Sequence, residues 1–116
     1  MESAVKSEFR QMLDVFVDKN VDFLLAEFFS DVVEAEWAIE CIMEALGRME
    51  ESGGGSGGGS GSGSEERRPA VGVTMSIGPM GDFSGISPQE CAIRLKRAGL
   101  SVTRPDTRHE MRLVRV

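Results

Sequence analysis

Apolar residues in the first half of the chain recur at intervals of three and four, which is the spacing of amphipathic helices. The first predicted helix runs from about Ser7 to about Lys19. Its apolar stripe comprises Phe9, Met12, Leu13, Phe16 and Val17. Asn20 closes a polar break and is predicted to cap a second helix, although one long helix fits the same pattern. The second apolar face comprises Val21, Leu24, Leu25, Phe28 and Phe29.

A further helix is predicted to begin after Ser30. Asp31 and Glu34 have the spacing of a capping box, in which side chains at the helix start accept free backbone N–H groups. Gly47 is predicted to break the helix near its end, although the apolar pattern continues to Met49. The apolar positions are Ala35, Ala38, Ile39, Ile42, Ala45, Leu46 and Met49, with Trp37 beside them. Two or three helices bury too little apolar surface alone, so we expect an exposed groove.

The second half of the chain begins with a two-residue repeat. Apolar residues alternate with small or polar ones over 70–77, which predicts a half-buried strand with Val71, Val73, Met75 and Ile77 on one face. After a loop over 78–85, Ser87-Pro88-Gln89-Glu90 predicts a helix start. This helix is expected to run to about Ala98, followed by a short strand over 100–103, a turn over 104–107 and a strand over 110–116.

A run of glycine and serine separates the two halves. Residues 53–64 read GGGSGGGSGSGS, the regular pattern of an engineered flexible linker without side chains that pack. Residues 1–52 hold 13 acidic and 4 basic residues, whereas 65–116 hold 6 acidic and 9 basic ones. Opposite charge favours encounter between the segments. The predicted organisation is an acidic helical interaction segment (1–52), the linker (53–64) and a basic β-α-β-β segment (65–116).

The predicted fold class is α+β, with the acidic helices packing on the sheet of the β-α-β-β segment. Strand addition at a sheet edge is a less favoured alternative, because the first half offers no obvious strand. The linker could also replace a loop within a single α+β domain. With 116 residues and no run of eighteen apolar ones, the chain is expected to be soluble and intracellular, either cytoplasmic or nuclear.

Residues suited to catalysis are few. His109 is the only histidine, and Cys41 and Cys91 fall among apolar neighbours on predicted helices, where cysteine is usually a small buried residue. The glycines at 78, 81 and 85 lack the spacing and the lysine of a nucleotide-binding loop. We therefore expect no catalytic residue, cofactor, metal site or small-molecule substrate, and classify the chain as a non-enzyme.

These features predict a protein–protein interaction module, a single-chain fusion whose two fragments bind each other in a regulatory or scaffolding complex. A regulator that binds nucleic acid through the basic segment is the alternative, although nine cations against six acids are a small excess. The predicted contact residues are Phe16, Leu24, Phe28, Phe29, Trp37 and Ile42 with Val73, Met75, Ile77, Leu95, Arg94, Arg97, Arg112, Leu113, Val114 and Arg115. Acids expected opposite the arginines are Asp22, Glu27, Asp31, Glu34 and Glu36.

Overall fold

The computed structural model describes residues 1–52, 69–100, 102–106 and 110–115, with the side chains of 1–51 and 69–100. These described residues form seven helices and strands. They are α1 (Glu2–Asp18), β1 (Phe23–Phe29), α2 (Val32–Ser52), β2 (Ala70–Ser76), α3 (Pro88–Arg97), β3 (Val102–Asp106) and β4 (Glu110–Arg115). The chain therefore combines helices and strands, as the α+β expectation required.

The strands form one four-stranded sheet in the order β1-β2-β4-β3. β1 and β2 are parallel, with Leu24 opposite Val71, and α2 connects them. β2 and β4 are antiparallel, with Val73 opposite Leu113, and β3 is antiparallel to β4. Both halves of the chain thus contribute strands to the same sheet.

The predicted second helix is wrong, because residues 23–29 form β1. Asn20 follows the end of α1 with φ 56°, a left-handed conformation that asparagine tolerates, and it does not cap a helix. Within β1 the buried Leu24 and Ala26 alternate with the exposed Leu25 and Glu27. A short apolar run is compatible with helix or strand spacing, and pairing with β2 decides between them. The first half therefore does offer a strand.

Helix α2 provides the centre of the core. Val32, Ile39 and Leu46 lie on one face and are at most 1% exposed. They belong to one apolar cluster with residues of β2 and α3. Asp31 caps the helix as predicted, since its Oδ1 accepts hydrogen bonds from the backbone N–H groups of Val33 at 2.8 Å and Glu34 at 3.4 Å. The helix passes Gly47 and ends at Ser52, so the predicted break at Gly47 is wrong.

Helix α1 packs mainly against α2, and its Phe9 ring also contacts Phe29 of β1. Three ion pairs connect the two helices: Lys6 Nζ with Glu40 Oε2 at 2.6 Å, Arg10 Nε with Glu44 Oε2 at 3.1 Å, and Arg48 with Asp14 at 3.5 Å. Part of the acidic excess is therefore balanced by cations of the same segment. Helix α2 therefore packs directly on β1 and β2, whereas α1 reaches the sheet through Phe9.

Helix α3 begins as the sequence predicts. Ser87 Oγ accepts a hydrogen bond from Glu90 N at 3.2 Å, and Pro88 is the first helical residue. After the helix, Gly99 adopts a φ of 117°. The predicted turn at 104–106 is wrong, because β3 extends to Asp106, and β3 itself begins at Val102 instead of residue 100. Strand β4 matches the last predicted strand over residues 110–115, the part that the structure describes.

Several expectations concern residues outside the described part of the chain. They include the linker at 53–64, His109 and the end of the predicted turn at residue 107. Within the described residues, no helix has both the length and the apolar composition needed to cross a membrane.

Candidate functional site

The carboxyl ends of β1 and β2 meet at one edge of the sheet, because the two strands are parallel. Ligands of parallel α/β sheets generally bind beyond this edge, where the loops after the strands converge. Here these loops are the short connection from β1 to α2 at residues 30–31 and the longer connection from β2 to α3 at residues 77–87. The candidate site therefore comprises these two loops and the strand ends before them.

The end of β1 contains a β-bulge. Ala26 pairs with Val73 and Phe29 with Met75, so β1 has one residue more than β2 between these pairs. Phe28 adopts φ 67°, which is uncommon for a bulky residue. Its backbone N–H donates a hydrogen bond to Thr74 Oγ1 at 2.9 Å. The bulge leaves Glu27 exposed and Phe28 72% exposed at the carboxyl end of the strand.

The buried carboxylate of Asp82 joins the two loops. Its Oδ2 accepts from Val32 N, the start of α2, at 2.9 Å. Its Oδ1 accepts from Ser84 N at 3.0 Å and Ile86 N at 2.8 Å within its own loop. Asp82 is only 8% exposed, and these three donors satisfy its charge. One side chain therefore fixes both loops relative to each other.

Further hydrogen bonds reinforce this connection. Phe83 N donates to Ser30 O at 2.7 Å, and Ser84 Oγ donates to Asp31 Oδ2 at 2.5 Å. Gly78 and Gly81 exchange two backbone hydrogen bonds at 3.0–3.1 Å. The result is a firmly positioned edge on which Met80 and Phe83 are each 88% exposed.

A groove of about 490 Å³ extends from this edge along β1, between β1, α1 and α2. Glu27 is the charged residue among its lining residues in the described part of the chain. The apolar lining comprises Phe9, Met12, Leu13, Phe16, Val21, Phe23, Leu24, Leu25, Ala26, Phe29, Ala38 and Ile42. A carboxylate at the end of an apolar, aromatic-lined groove suits a ligand with a cationic group attached to small apolar groups.

The predicted contact residues fall into different environments. The buried cluster contains Leu24, Ile42, Val73, Met75, Ile77 and Leu95. Phe29 packs against this cluster and forms an edge-on ring contact with Phe9 at 6.2 Å, whereas Trp37 is half-buried. Phe16, Phe28 and Arg97 are exposed. The structure therefore brings six of these residues together inside the fold and leaves Phe28 at its surface.

The arginines among the predicted contact residues also lie in different parts of the fold. Arg94 of α3 contacts Glu36 of α2, with its Nε donating to Oε1 at 2.8 Å and a second bond from Nη2 to Oε2. Of Arg112, Leu113, Val114 and Arg115, only the backbone is described, in register with residues 71–74 of β2. Asp22 and Glu34 are exposed, and Asp31 takes part in the loop connection.

The two cysteines lie inside the fold. Burial raises the pKa of the Cys91 thiol to about 11, and the nearby charge of Asp82 adds to the effect. Burial also raises the pKa of Cys41. Both thiols are therefore protonated at neutral pH, when a thiol is a poor nucleophile. Within the described residues, no three His, Cys, Asp or Glu side chains are close enough to hold a metal ion.

The loop connection gives the protein a specific response to acid. The hydrogen bond from Ser84 lowers the pKa of Asp31 below its ordinary value of 3.8, assisted by the backbone N–H groups of Val33 and Glu34 and by the charge of Arg94. The resulting stabilisation is complete above pH 3.8 and is lost as the pH falls through the lower pKa of the folded state. We expect Asp31→Asn to remove this part of the pH dependence of the unfolding free energy.

Urea unfolding of the wild type, Asp31→Asn and Ser84→Ala at successive pH values below 5 measures this effect. Ser84→Ala is the matched control, because it removes only the largest cause of the shift and should reduce the pH dependence partially. Equal acid dependence in the wild type and Asp31→Asn would contradict the assignment.

Sequence reasoning missed the residues that build this edge. Thr74 and Asp82 were not singled out, and Glu27 was expected only as an acid opposite an arginine. Asp82 stands four residues before Ile86 in a glycine-rich loop, a position from which an Asp side chain commonly binds the following backbone N–H groups. That local signal was available, whereas its bond to Val32, fifty residues away, was not.

Comparison with known proteins gives a consistent set of relatives, although no family model matches the chain. Over 101 residues, 87% of the chain, it is 46% identical to betaine–homocysteine S-methyltransferase 1 of Xenopus laevis and 43% identical to that of Sus scrofa. It is 42% identical to the S-methylmethionine–homocysteine S-methyltransferase of Rattus norvegicus. The matches cover 20%, 28% and 22% of these relatives, so the chain spans less than a third of their length.

These relatives correct the functional expectations. The expected interaction module, with its regulatory or scaffolding role and its nucleic-acid-binding alternative, is wrong, because the similar proteins are enzymes. The classification as a non-enzyme is contradicted by the same finding. The expectation of a protein partner without a small-molecule substrate is also wrong, since the relatives are named for betaine, S-methylmethionine and homocysteine.

Proposed function

We propose that the chain is part of a homocysteine S-methyltransferase, and that the carboxyl-terminal edge of β1 and β2 binds a cationic group of its substrates. The observation that carries the proposal is the bulge of β1, which presents the Glu27 carboxylate and the Phe28 ring side by side in the sequence at this edge. The identity of 42–46% with methyltransferases supports the reaction class.

The substrates in the names of the relatives share a feature that these side chains recognise. Betaine carries a quaternary ammonium group, S-methylmethionine carries a sulfonium and an ammonium group, and homocysteine carries an ammonium group. An aromatic ring attracts such cations through the negative charge of its face, and a carboxylate attracts them directly. We assign both roles to this edge, with Phe28 providing the ring and Glu27 the carboxylate.

A single domain is the organisation that best supports this function. A match of 101 residues is longer than either 52-residue segment, so it extends over both. The cluster formed by Leu24, Ile42, Val73, Met75, Ile77 and Leu95 is then the interior of one fold, with 53–64 as a linker inside it. We also propose an intracellular location, since free Cys41 and Cys91 are typical of reducing compartments.

Binding measurements test the proposed site directly. We expect isothermal titration calorimetry and NMR titration to show saturable binding of betaine or S-methylmethionine to the whole chain. Glu27→Gln should weaken binding about tenfold or more, because it removes the charge opposite the cation. Phe28→Leu should weaken it about twofold to fivefold, because it removes the aromatic face while keeping an apolar side chain.

A matched control comes from an exposed carboxylate outside the two loops. Glu34→Gln on α2 should leave affinity unchanged. As a ligand control, tert-butylacetate replaces the quaternary nitrogen of betaine with carbon and should bind more weakly. If the wild type binds none of the cationic substrates, or if Glu27→Gln binds them as well as the wild type does, the proposed site is wrong.

A further inference from the structure

The backbone conformation at Phe28 requires support from elsewhere in the fold. Its φ of 67° is disfavoured for any side chain with a Cβ, because the Cβ approaches the following carbonyl oxygen. Phe28 is 72% exposed, so packing of its own ring does not hold it there. Such conformations persist only where the surroundings determine them, and they occur preferentially in ligand-binding sites.

The bulge also takes Phe28 out of the regular hydrogen-bond ladder. The paired positions around it are Ala26 with Val73 and Phe29 with Met75, which leaves Phe28 as the additional residue. An unpaired backbone N–H needs another acceptor. Thr74 Oγ1 accepts from Phe28 N at 2.9 Å, and Thr74 is 7% exposed on the strand next to the bulge. A hydroxyl therefore takes the place of a backbone carbonyl.

The position of Thr74 connects this bond to Glu27. Val73 and Met75 face the helices in the buried cluster, so Thr74, which lies between them, faces the opposite side of the sheet. Glu27 directly precedes Phe28, so the peptide whose N–H donates to Thr74 joins these two residues. A change in the Phe28 backbone would turn the peptide between Glu27 and Phe28, and with it the directions of both side chains.

We propose that Thr74 is a positioning residue for the substrate site. Its hydroxyl holds Phe28 in the left-handed conformation, and it thereby fixes the directions of the Glu27 carboxylate and the Phe28 ring toward the cation. The expected effect of Thr74 on substrate binding rests on the proposed function. Its first step, the control of the Phe28 backbone by Thr74, is independent of any ligand.

Two substitutions of Thr74 in the whole chain separate the hydroxyl from the shape of the side chain. Thr74→Val keeps the branched shape without the acceptor, and Thr74→Ser keeps the acceptor without the methyl group. In the NMR spectrum, the intraresidue nuclear Overhauser effect between the Phe28 amide and α protons reports positive φ, because these protons are then close. We expect this effect to weaken in Thr74→Val and to persist in Thr74→Ser.

Betaine affinity provides the second readout. It should fall about tenfold in Thr74→Val and be restored in Thr74→Ser, with an unchanged circular dichroism spectrum in both. A Phe28 conformation and affinity unaffected by Thr74→Val would overturn the inference, as would equal losses in both variants, which would indicate packing by the methyl group. If the wild type binds no betaine, the proposed function fails, and the Phe28 conformation alone decides the role of Thr74.

A measurement on the wild type covers the case in which Thr74→Val does not fold. The Phe28 amide should exchange with solvent deuterium more slowly than an amide in an unstructured peptide, because it donates to the buried Thr74 hydroxyl. Exchange of the Phe28 amide as fast as that of an unstructured peptide would overturn the inference without any substitution.

Discussion

Replacing Gly81 by alanine is expected to lower the free energy of unfolding by about 3 kcal/mol or more. A Cβ at this position would lie 2.1 Å from the carbonyl oxygen of Ile86, far inside contact distance. That oxygen accepts the Asp82 backbone N–H at 2.9 Å, so it cannot move without loss of this bond. The φ of 112° is in addition strained for alanine. Steric overlap of the Cβ and backbone strain at residue 81 therefore both destabilise Gly81→Ala.

Two other glycines are matched controls for Gly81→Ala. Gly85 has a positive φ of 82° but open space around its Cβ position, so Gly85→Ala should cost only about 1 kcal/mol of backbone strain. Gly47 lies within α2 with open space around it, and Gly47→Ala should stabilise the protein by about 0.5–1 kcal/mol. Urea unfolding of the three variants measures these differences. Equal stability of Gly81→Ala and Gly85→Ala would show that the loop is not packed as described.

Replacing Asp82 by asparagine is expected to cost about 2–4 kcal/mol, the second large effect. Both carboxylate oxygens accept hydrogen bonds, Oδ2 from Val32 N and Oδ1 from Ser84 N and Ile86 N. In asparagine one of these positions becomes an NH₂ group that faces a donor. The residue is almost completely buried, so water cannot replace the lost bond.

Amide exchange distinguishes this effect from general destabilisation. In Asp82→Asn, the amides of Val32, Ser84 and Ile86 should exchange faster than core amides of α2, because their acceptor is lost locally. Asp22→Asn, at an exposed position, serves as the control and should change stability by less than about 0.5 kcal/mol. An Asp82→Asn variant as stable as Asp22→Asn would contradict the role of Asp82 in joining the loops.

The relatives and the structure change the interpretation of the aromatic residues Phe28 and Phe29. Large apolar side chains on a short acidic segment predicted a surface for a protein partner, yet Phe29 packs against the core of the same chain. Phe28 remains exposed because the bulge directs it outward. In the proposed function, this exposure serves a small cationic ligand, for which one ring and one carboxylate provide enough contact.

Local signals in the sequence determined a large part of the secondary structure. The cap of α2 at Asp31, the start of α3 at Ser87 and the strand β2 depend on neighbours within a few residues, and each was predicted. The prediction that β2 is half-buried is wrong, because residues 71–75 are all buried. In these cases the hydrogen-bond partners or the alternation of side chains lie within the same element. The stripe of α1 was predicted for the same reason, although the helix begins earlier, at Glu2.

Only the tertiary structure decided that residues 23–29 form a strand, because this short, mostly apolar segment fits either period until β2 is beside it. The candidate site at the sheet edge also depends on contacts between residues that are far apart in the sequence. Phe28 meets Thr74 across 46 residues of sequence, and Val32 meets Asp82 across 50. The bulge exists only relative to the register of β2, so no pattern within β1 contains it. The sequence by itself thus determined most helices and strands, whereas pairing between distant segments decided the parallel sheet and the site at its edge.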